Sequence, residues 1–309
     1  MITVAGFNTA IDRLVRIGEL QPGELHRAVD EQVYPGGKGL HVAQTIAALG
    51  ERVQLVGIID AAHRNLIGRH LSRRGVLFHG IEIDDSIRTC VALQEPSGRI
   101  TEVLGQGPQL GLAQRDALLS AVQRCIEDSE LLILSGSLPR GLPKETYAQL
   151  AAQVRDAGKH CLVDASGEAL RLALQARPTL VKPNREEAGE LLGRAVDDID
   201  AAVAAVRELR ADGIAMPVVS LGALGAVAAD ADAVWHAAIE PVPTRNTVGS
   251  GDCLLAGMAV GMVRGMDLQQ TLRLGVACGA ANAQGEETGF VERQAVEALL
   301  SRVRVQRLD

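Results

Sequence analysis

Aromatic residues are nearly missing from this 309-residue chain; Phe, Tyr and Trp together make up only 2% of it. Its core must therefore be aliphatic. Cysteine is scarce as well, with five scattered residues (Cys90, Cys125, Cys161, Cys253 and Cys278) and no CxxC spacing. That pattern supports neither a disulfide framework nor a zinc site, and it makes a reducing, cytoplasmic setting the expected one. The seven histidines contain no HxxxH or HxH pair, which argues against a zinc hydrolase. Positive charge is in deficit. A net charge of −7 argues against broad binding to nucleic acid or to an anionic membrane. Any anionic ligand would need local cations. No apolar stretch reaches the length of a membrane span. The opening Met-Ile-Thr-Val-Ala-Gly has neither the basic region nor the long apolar run of a signal peptide.

What the chain does have is aliphatic alternation. It is 47% apolar and 22% charged, enough to bury a large core. Ile2–Gly6 reads as a buried strand followed by a polar turn, Phe7–Asp12. Leu14–Ile17 and the turn at Gln21–Glu24 read as a hairpin excursion. Pro35-Gly-Gly-Lys-Gly39 opens a helix, Leu40–Leu49, closed by Gly50. Val53–Ile59 reads as a strand and His63–Arg74 as a basic amphipathic helix. From Val76 to Leu104 the pattern is one of hairpins, with Thr89–Gln94 and Ile100–Leu104 around Pro96-Ser-Gly98.

After residue 112 helices and strands alternate regularly. Helices are expected at Gln114–Ile126, Lys144–Ala157, Gly167–Ala176, Glu186–Leu192 and Ile199–Asp212. Strands fall between them at Leu131–Leu134, His160–Asp164, Thr179–Lys182 and Pro217–Leu221. Such spacing implies parallel strands joined by right-handed crossovers. Gly225–Ala229 and Ala233–Ala237 read as an edge hairpin. Helices at Gly251–Arg264, Leu268–Ala283 and Glu292–Val303 close the chain. The expectation is one doubly wound α/β domain over residues 1–309 with a mostly parallel sheet. A small β appendage would come from residues 13–34 and 76–104.

The chemistry concentrates at two glycine-rich helix entrances. In Asn246-Thr-Val-Gly-Ser-Gly-Asp252 the backbone N–H groups of Gly249, Ser250, Gly251 and Asp252 fall at a helix N-terminus, where they can hold an anion. Asp252 is either a first-turn acid stabilised by the helix dipole or a general base beside an anion hole. Pro35-Gly-Gly-Lys-Gly39 is not a Walker A loop, because Gly39 follows Lys38 where Ser or Thr belongs. Its glycines allow close backbone approach and Lys38 supplies a point charge, or the segment is an ordinary surface loop.

Parallel sheets bind ligands beyond the carboxyl ends of their strands. The polar residues there are Asn8, Asp12, Ser135, Ser137, Asp164, Lys182, Asn184, Ser220 and Gly222. Asn184 and Glu187 have capping-box spacing, and the alternative is a water-mediated hold on Mg²⁺. Ser220-Leu-Gly-Ala-Leu-Gly225 is either a turn or a run of backbone N–H groups toward a nucleotide phosphate.

Taken in order, these segments resemble the ribokinase-type, or PfkB, carbohydrate kinases. Gly36-Gly-Lys-Gly39 and Thr247-Val-Gly-Ser-Gly-Asp252 carry the resemblance. Asn8-Thr-Ala-Ile-Asp12, Ser135-Gly-Ser-Leu-Pro139, Val181-Lys-Pro-Asn184 and Ser220-Leu-Gly222 extend it over essentially the whole chain. Within the family the segments are most similar to the hexose-phosphate kinases, 1-phosphofructokinase and tagatose-6-phosphate kinase among them. The resemblance implies ATP- and Mg²⁺-dependent phosphorylation of a ketohexose phosphate, with fructose 1-phosphate to fructose 1,6-bisphosphate as the expected reaction. Another sugar kinase of the same fold, or a catalytically weak sugar- or nucleotide-binding regulator, is the alternative.

By the same resemblance Asp252 is the base, and Gly249, Ser250 and Gly251 form the anion hole. Asp12, Gly37, Lys38, His41 and Arg88 hold the sugar phosphate. Ser220, Gly222, Gly225 and Asn282 lie along the nucleotide, and Asn184 and Glu187 organise Mg²⁺. The β appendage is a lid that can also form a homodimer interface. Three positions depart from the family pattern: Asn246 stands for Asp, His41 for Asn and Thr9 for Pro.

Overall fold

The computed structural model describes residues 1–308. The first part of the chain forms β1 (Ile2–Ala5), β2 (Ala10–Arg16), β3 (Asp30–Gly36), α1 (Lys38–Ala48), β4 (Val53–Asp60), α2 (Arg64–Arg73), β5 (Leu77–Ile83), β6 (Arg88–Gln94) and β7 (Ile100–Leu104). The regular middle follows as α3 (Leu112–Glu127), β8 (Leu131–Ser135), α4 (Thr146–Asp156), β9 (His160–Asp164), α5 (Gly167–Gln175), β10 (Leu180–Val181), α6 (Arg185–Leu192) and α7 (Ile199–Ala211). The chain ends with β11 (Met216–Ser220), β12 (Ala226–Ala229), β13 (Val234–Ile239), α8 (Ser250–Val263), α9 (Leu268–Gln284), α10 (Arg293–Leu300) and β14 (Val303–Leu308).

Ten strands form one sheet in the order β14-β13-β12-β11-β10-β9-β8-β1-β4-β5. From β11 across to β5 every pairing is parallel, and the three pairings from β11 out to β14 are antiparallel. The central strands are buried along their whole length, as in β4 and β8, which is why they read as continuous aliphatic runs. The chain winds outward from β1 through β4 to β5, then returns to β8 on the other side of β1. That reversal opens a crevice at the carboxyl ends of the strands, where ligands of open α/β sheets bind. The core is aliphatic throughout, with Phe7 stacked on Tyr147 as its one aromatic contact among the described residues.

A second sheet has four strands in the order β3-β2-β6-β7. Its centre is a parallel pairing, Ala10 with Arg88 through Arg16 with Gln94, flanked by two antiparallel pairings. Residues 10–36 and 88–104 thus meet, although they are far apart in sequence.

The structure corrects the sequence reading at three places. Leu77–Ile83 is not part of the small sheet; it is the edge of the large one, parallel to β4. An edge strand is solvated on one side and alternates in polarity, so it mimics a hairpin arm. The last predicted helix ends at Leu300, and Val303–Leu308 pairs antiparallel with β13. The turn after β1 is also shorter than expected, because β2 begins at Ala10. Pro35 lies inside β3, which its place at a sheet edge permits.

Candidate active site

The strand ends, the small sheet and the entrances of α1 and α8 enclose a cleft of about 930 Å³. Helix α8 packs against both α1 and α9 and is buried on all sides from Asp252 to Gly261, so its first turn cannot shift independently of the core. Gly249 caps it in the left-handed region at φ 83°, a conformation that glycine adopts without strain. The N–H groups of Gly249, Gly251 and Asp252 have no acceptor among the described residues. Ser250 differs from the expectation. Its N–H is taken by the Thr247 carbonyl at 3.1 Å, so only its neighbours offer unpaired N–H groups here.

Asp252 stands in that first turn and is 5% exposed. Its Oδ2 lies 2.8 Å from His41 Nδ1, and its Oδ1 is 3.8 Å from Lys38 Nζ. Lys38 begins α1, behind Gly37, which also lines the cleft. The Lys38 ammonium donates to both oxygens of Asp164, at 3.2 and 3.3 Å. Asp164, at the end of β9, also meets Lys182 at 3.3 Å, and both are almost completely buried. Burial alone would push Asp164 up, but the two ammonium groups hold it below the usual carboxylate range. Burial likewise works against the charge on Lys38, and Asp164 and Asp252 outweigh it, so its pKa is raised.

Asp12, on β2, accepts from the Gly37 N–H at 3.4 Å and lies 3.0 Å from His41 Nε2. That second contact is an ion-pair approach too oblique for a good hydrogen bond. Three carboxylates (Asp12, Asp164, Asp252) are thus matched by His41, Lys38 and Lys182. Arg88 is left over. Its guanidinium donates only to neutral acceptors, the Asn8 and Gly105 carbonyls and Ser137 Oγ, at 3.2–3.3 Å. Among the described residues it has no acidic partner, and it faces the cleft.

The remaining sequence candidates divide. Asn184 and Glu187 do form the reciprocal capping box of α6, at 2.8 and 2.9 Å, and both line the cleft. Only one Glu187 oxygen serves the cap, so the other is free to meet a ligand. Ser220, Gly222 and Gly225 also line the cleft. Asn282 does not reach it. That side chain is fully buried, donates to the Val248 carbonyl at 3.0 Å and Ser250 Oγ at 2.9 Å, and accepts from the Phe290 N–H. It fastens the α8 entrance instead of touching a nucleotide. Asp164 and Lys182 are the charged pair that the sequence reading left without a role. Their signal was their position directly after strands.

The chain matches the pfkB family carbohydrate kinase description over residues 4–294. It is 35% identical over 280 residues to a 1-phosphofructokinase from Rhodobacter capsulatus, covering 89% of this chain and 88% of that protein. The protein belongs to the pfkB family of carbohydrate kinases. Its structure is similar to that of phosphofructokinase-2 from Escherichia coli in complex with substrates and products. There the TM-score is 0.88 at 27% identity, over 97% of this chain and 98% of that one. A possible 1-phosphofructokinase from Thermotoga maritima shares the fold at TM-score 0.89 and 21% identity, over 100% and 99% of the two chains.

The contacts at the α8 entrance make the Asn246 departure intelligible. Asn246 is fully buried and accepts from the Val248 N–H at 3.0 Å. Its amide nitrogen donates to the Glu286 carbonyl at 3.2 Å and to Thr288 Oγ1 at 3.0 Å. A carboxylate could make the first bond but would face the Glu286 carbonyl with no proton to give.

Proposed function

We propose that this kinase transfers the γ-phosphoryl group of ATP to fructose 1-phosphate, giving fructose 1,6-bisphosphate. The observation that carries this reading is one buried carboxylate, Asp252, set in the same helix turn as N–H groups without acceptors and opening on a cleft whose Arg88 has no acidic partner, both among the described residues. Asp252 takes the proton of the acceptor hydroxyl as the oxygen–phosphorus bond forms and the bond to the leaving ADP oxygen breaks. The N–H groups of Gly249, Gly251 and Asp252 meet the charge on the transferring group in place, without reorganisation. Asp12 holds sugar hydroxyls, and Lys38 and Arg88 hold the phosphate already present. Ser220, Gly222 and Gly225 border the nucleotide. The free oxygen of Glu187, with Asn184 beside it, suits a hydrated Mg²⁺, an ion that keeps most of its waters and takes few protein ligands. When bound, the ion would neutralise charge on the nucleotide phosphates.

The small sheet acts as a lid on this single domain. Asp12, Cys90 and Leu104 are in register across it and line the cleft. In the row one residue along, Val33, Arg13, Val91 and Val103 are in register, and Val33 and Val103 at its two ends are exposed. An exposed apolar sheet face suits a second copy of the chain, so the lid is also our candidate homodimer surface. The five free cysteines fit work in a reducing compartment such as the cytoplasm. A coupled assay with ATP and a panel of fructose 1-phosphate, fructose 6-phosphate and tagatose 6-phosphate tests the substrate. Fructose 1-phosphate should give the highest kcat/KM; a clear preference for another member would replace it.

A further inference from the structure

We propose that His41 is a positioning residue of the transfer step, a clamp through which the base Asp252 and the sugar-holding Asp12 act as one unit. The ring sits between them, Nδ1 2.8 Å from Asp252 and Nε2 3.0 Å from Asp12. It is 3% exposed, and among the described residues no other hydrogen-bonding side chain touches either nitrogen. Space for it is cut by glycine. A methyl group at Gly289 would stand 2.1 Å from the ring carbon, and one at Gly36 would stand 2.1 Å from the Asp12 carboxyl. Gly289 thus bounds the ring itself and Gly36 bounds the carboxyl beside it; with Asp252 Oδ2 on the ring, Oδ1 is left turned toward Lys38.

The electrostatics agree with the geometry. Two carboxylates flank one ring, so burial, which pushes the imidazole down, is outweighed and its pKa is raised to about 10. Asp12 from β2 and Asp252 from α8 are its direct partners. Lys38 on α1 acts through Asp252, while Glu102 on β7, Glu287 before α10 and His70 on α2 reach it only through the field. Already protonated, His41 takes no proton from the sugar; its task is to hold. An asparagine at this position would not titrate.

The inference rests on Asp252 being the base. Should Asp252→Asn keep wild-type kcat, that reading fails whatever His41 does. The test of His41 itself uses whichever sugar phosphate the wild type turns over, with kcat, both KM values and the pH profile of kcat/KM for wild type, His41→Asn and His41→Gln. The wild type should lose kcat/KM as pH rises through about 10, because the charge present below the raised pKa is then lost. In the variants kcat should fall about 10- to 100-fold, with KM for ATP nearly unchanged, as expected for a misplaced base. Their alkaline limb should be gone. His41→Gln keeps the reach toward Asp12, so it serves where His41→Asn fails to fold. A wild type with no alkaline limb, or folded variants that keep the limb or the full kcat, would overturn the proposal.

Discussion

Two glycine-rich helix entrances meet in this cleft, and they present opposite charges. At α1, Gly37 is followed by a cation, Lys38, whose side chain is 39% exposed and leans on Asp164. At α8, Gly249 is followed by a carboxylate, Asp252, buried to 5% and fixed by a helix with no solvent face. Both helix dipoles point the same sign at the cleft. In the proposed mechanism the side chains then separate the roles, with holding an anion at α1 and moving a proton at α8. The lesson is that a shared backbone geometry leaves the chemistry to the first charged residue after it.

The sharpest way to break this comparison is Asp252→Asn. Loss of a general base should lower kcat by about 10²–10⁴-fold, with ATP affinity nearly intact. Side-by-side kcat and ATP titrations check it, and near wild-type turnover would move the base elsewhere. The other entrance should answer differently. Lys38→Ala is expected to raise KM for the sugar phosphate by about 10- to 100-fold, the worth of a charged hydrogen bond, and KM for ATP far less. Asp164 keeps Lys182 as a partner in that variant, so folding should survive.

Smaller effects sharpen the picture. Asn246→Asp places a buried acceptor against the Glu286 carbonyl and should cost about 1–3 kcal/mol of stability, read as a lower denaturant midpoint. Hydrogen exchange should show protection rising in residues 10–36 and 88–104 together when sugar phosphate binds. Protection in only one of the two segments would end the lid reading. Smallest of all, Val103→Glu should weaken self-association in sedimentation without changing the cleft.

Much of the large sheet was legible in the sequence because its strands are buried on both faces and its helices are regular. Such segments carry their period openly. Two of the three misreadings fall where a strand is at an edge: β5 alternated like a hairpin arm and β14 like the tail of a helix. In the site, Asp252 and Lys38 were legible because glycine marks each helix entrance. Asp164 and Lys182 were visible only as polar residues after strands, since nothing local shows that two lysines share one carboxylate. Asn282 misled because the motif gives its place in the chain and not the direction of its side chain. The link from His41 to both Asp12 and Asp252 spans 211 residues on one side, and no local pattern records it.

The most direct measurement is kcat/KM of the wild-type enzyme with ATP for fructose 1-phosphate against free fructose. An acidic protein whose cleft keeps a half-exposed Lys38 and an Arg88 with no acidic partner among the described residues should prefer the phosphorylated sugar by at least about 100-fold, since each contact with phosphate is charge-assisted. Equal or better turnover of free fructose would contradict the account, for those cations would then hold nothing the reaction needs.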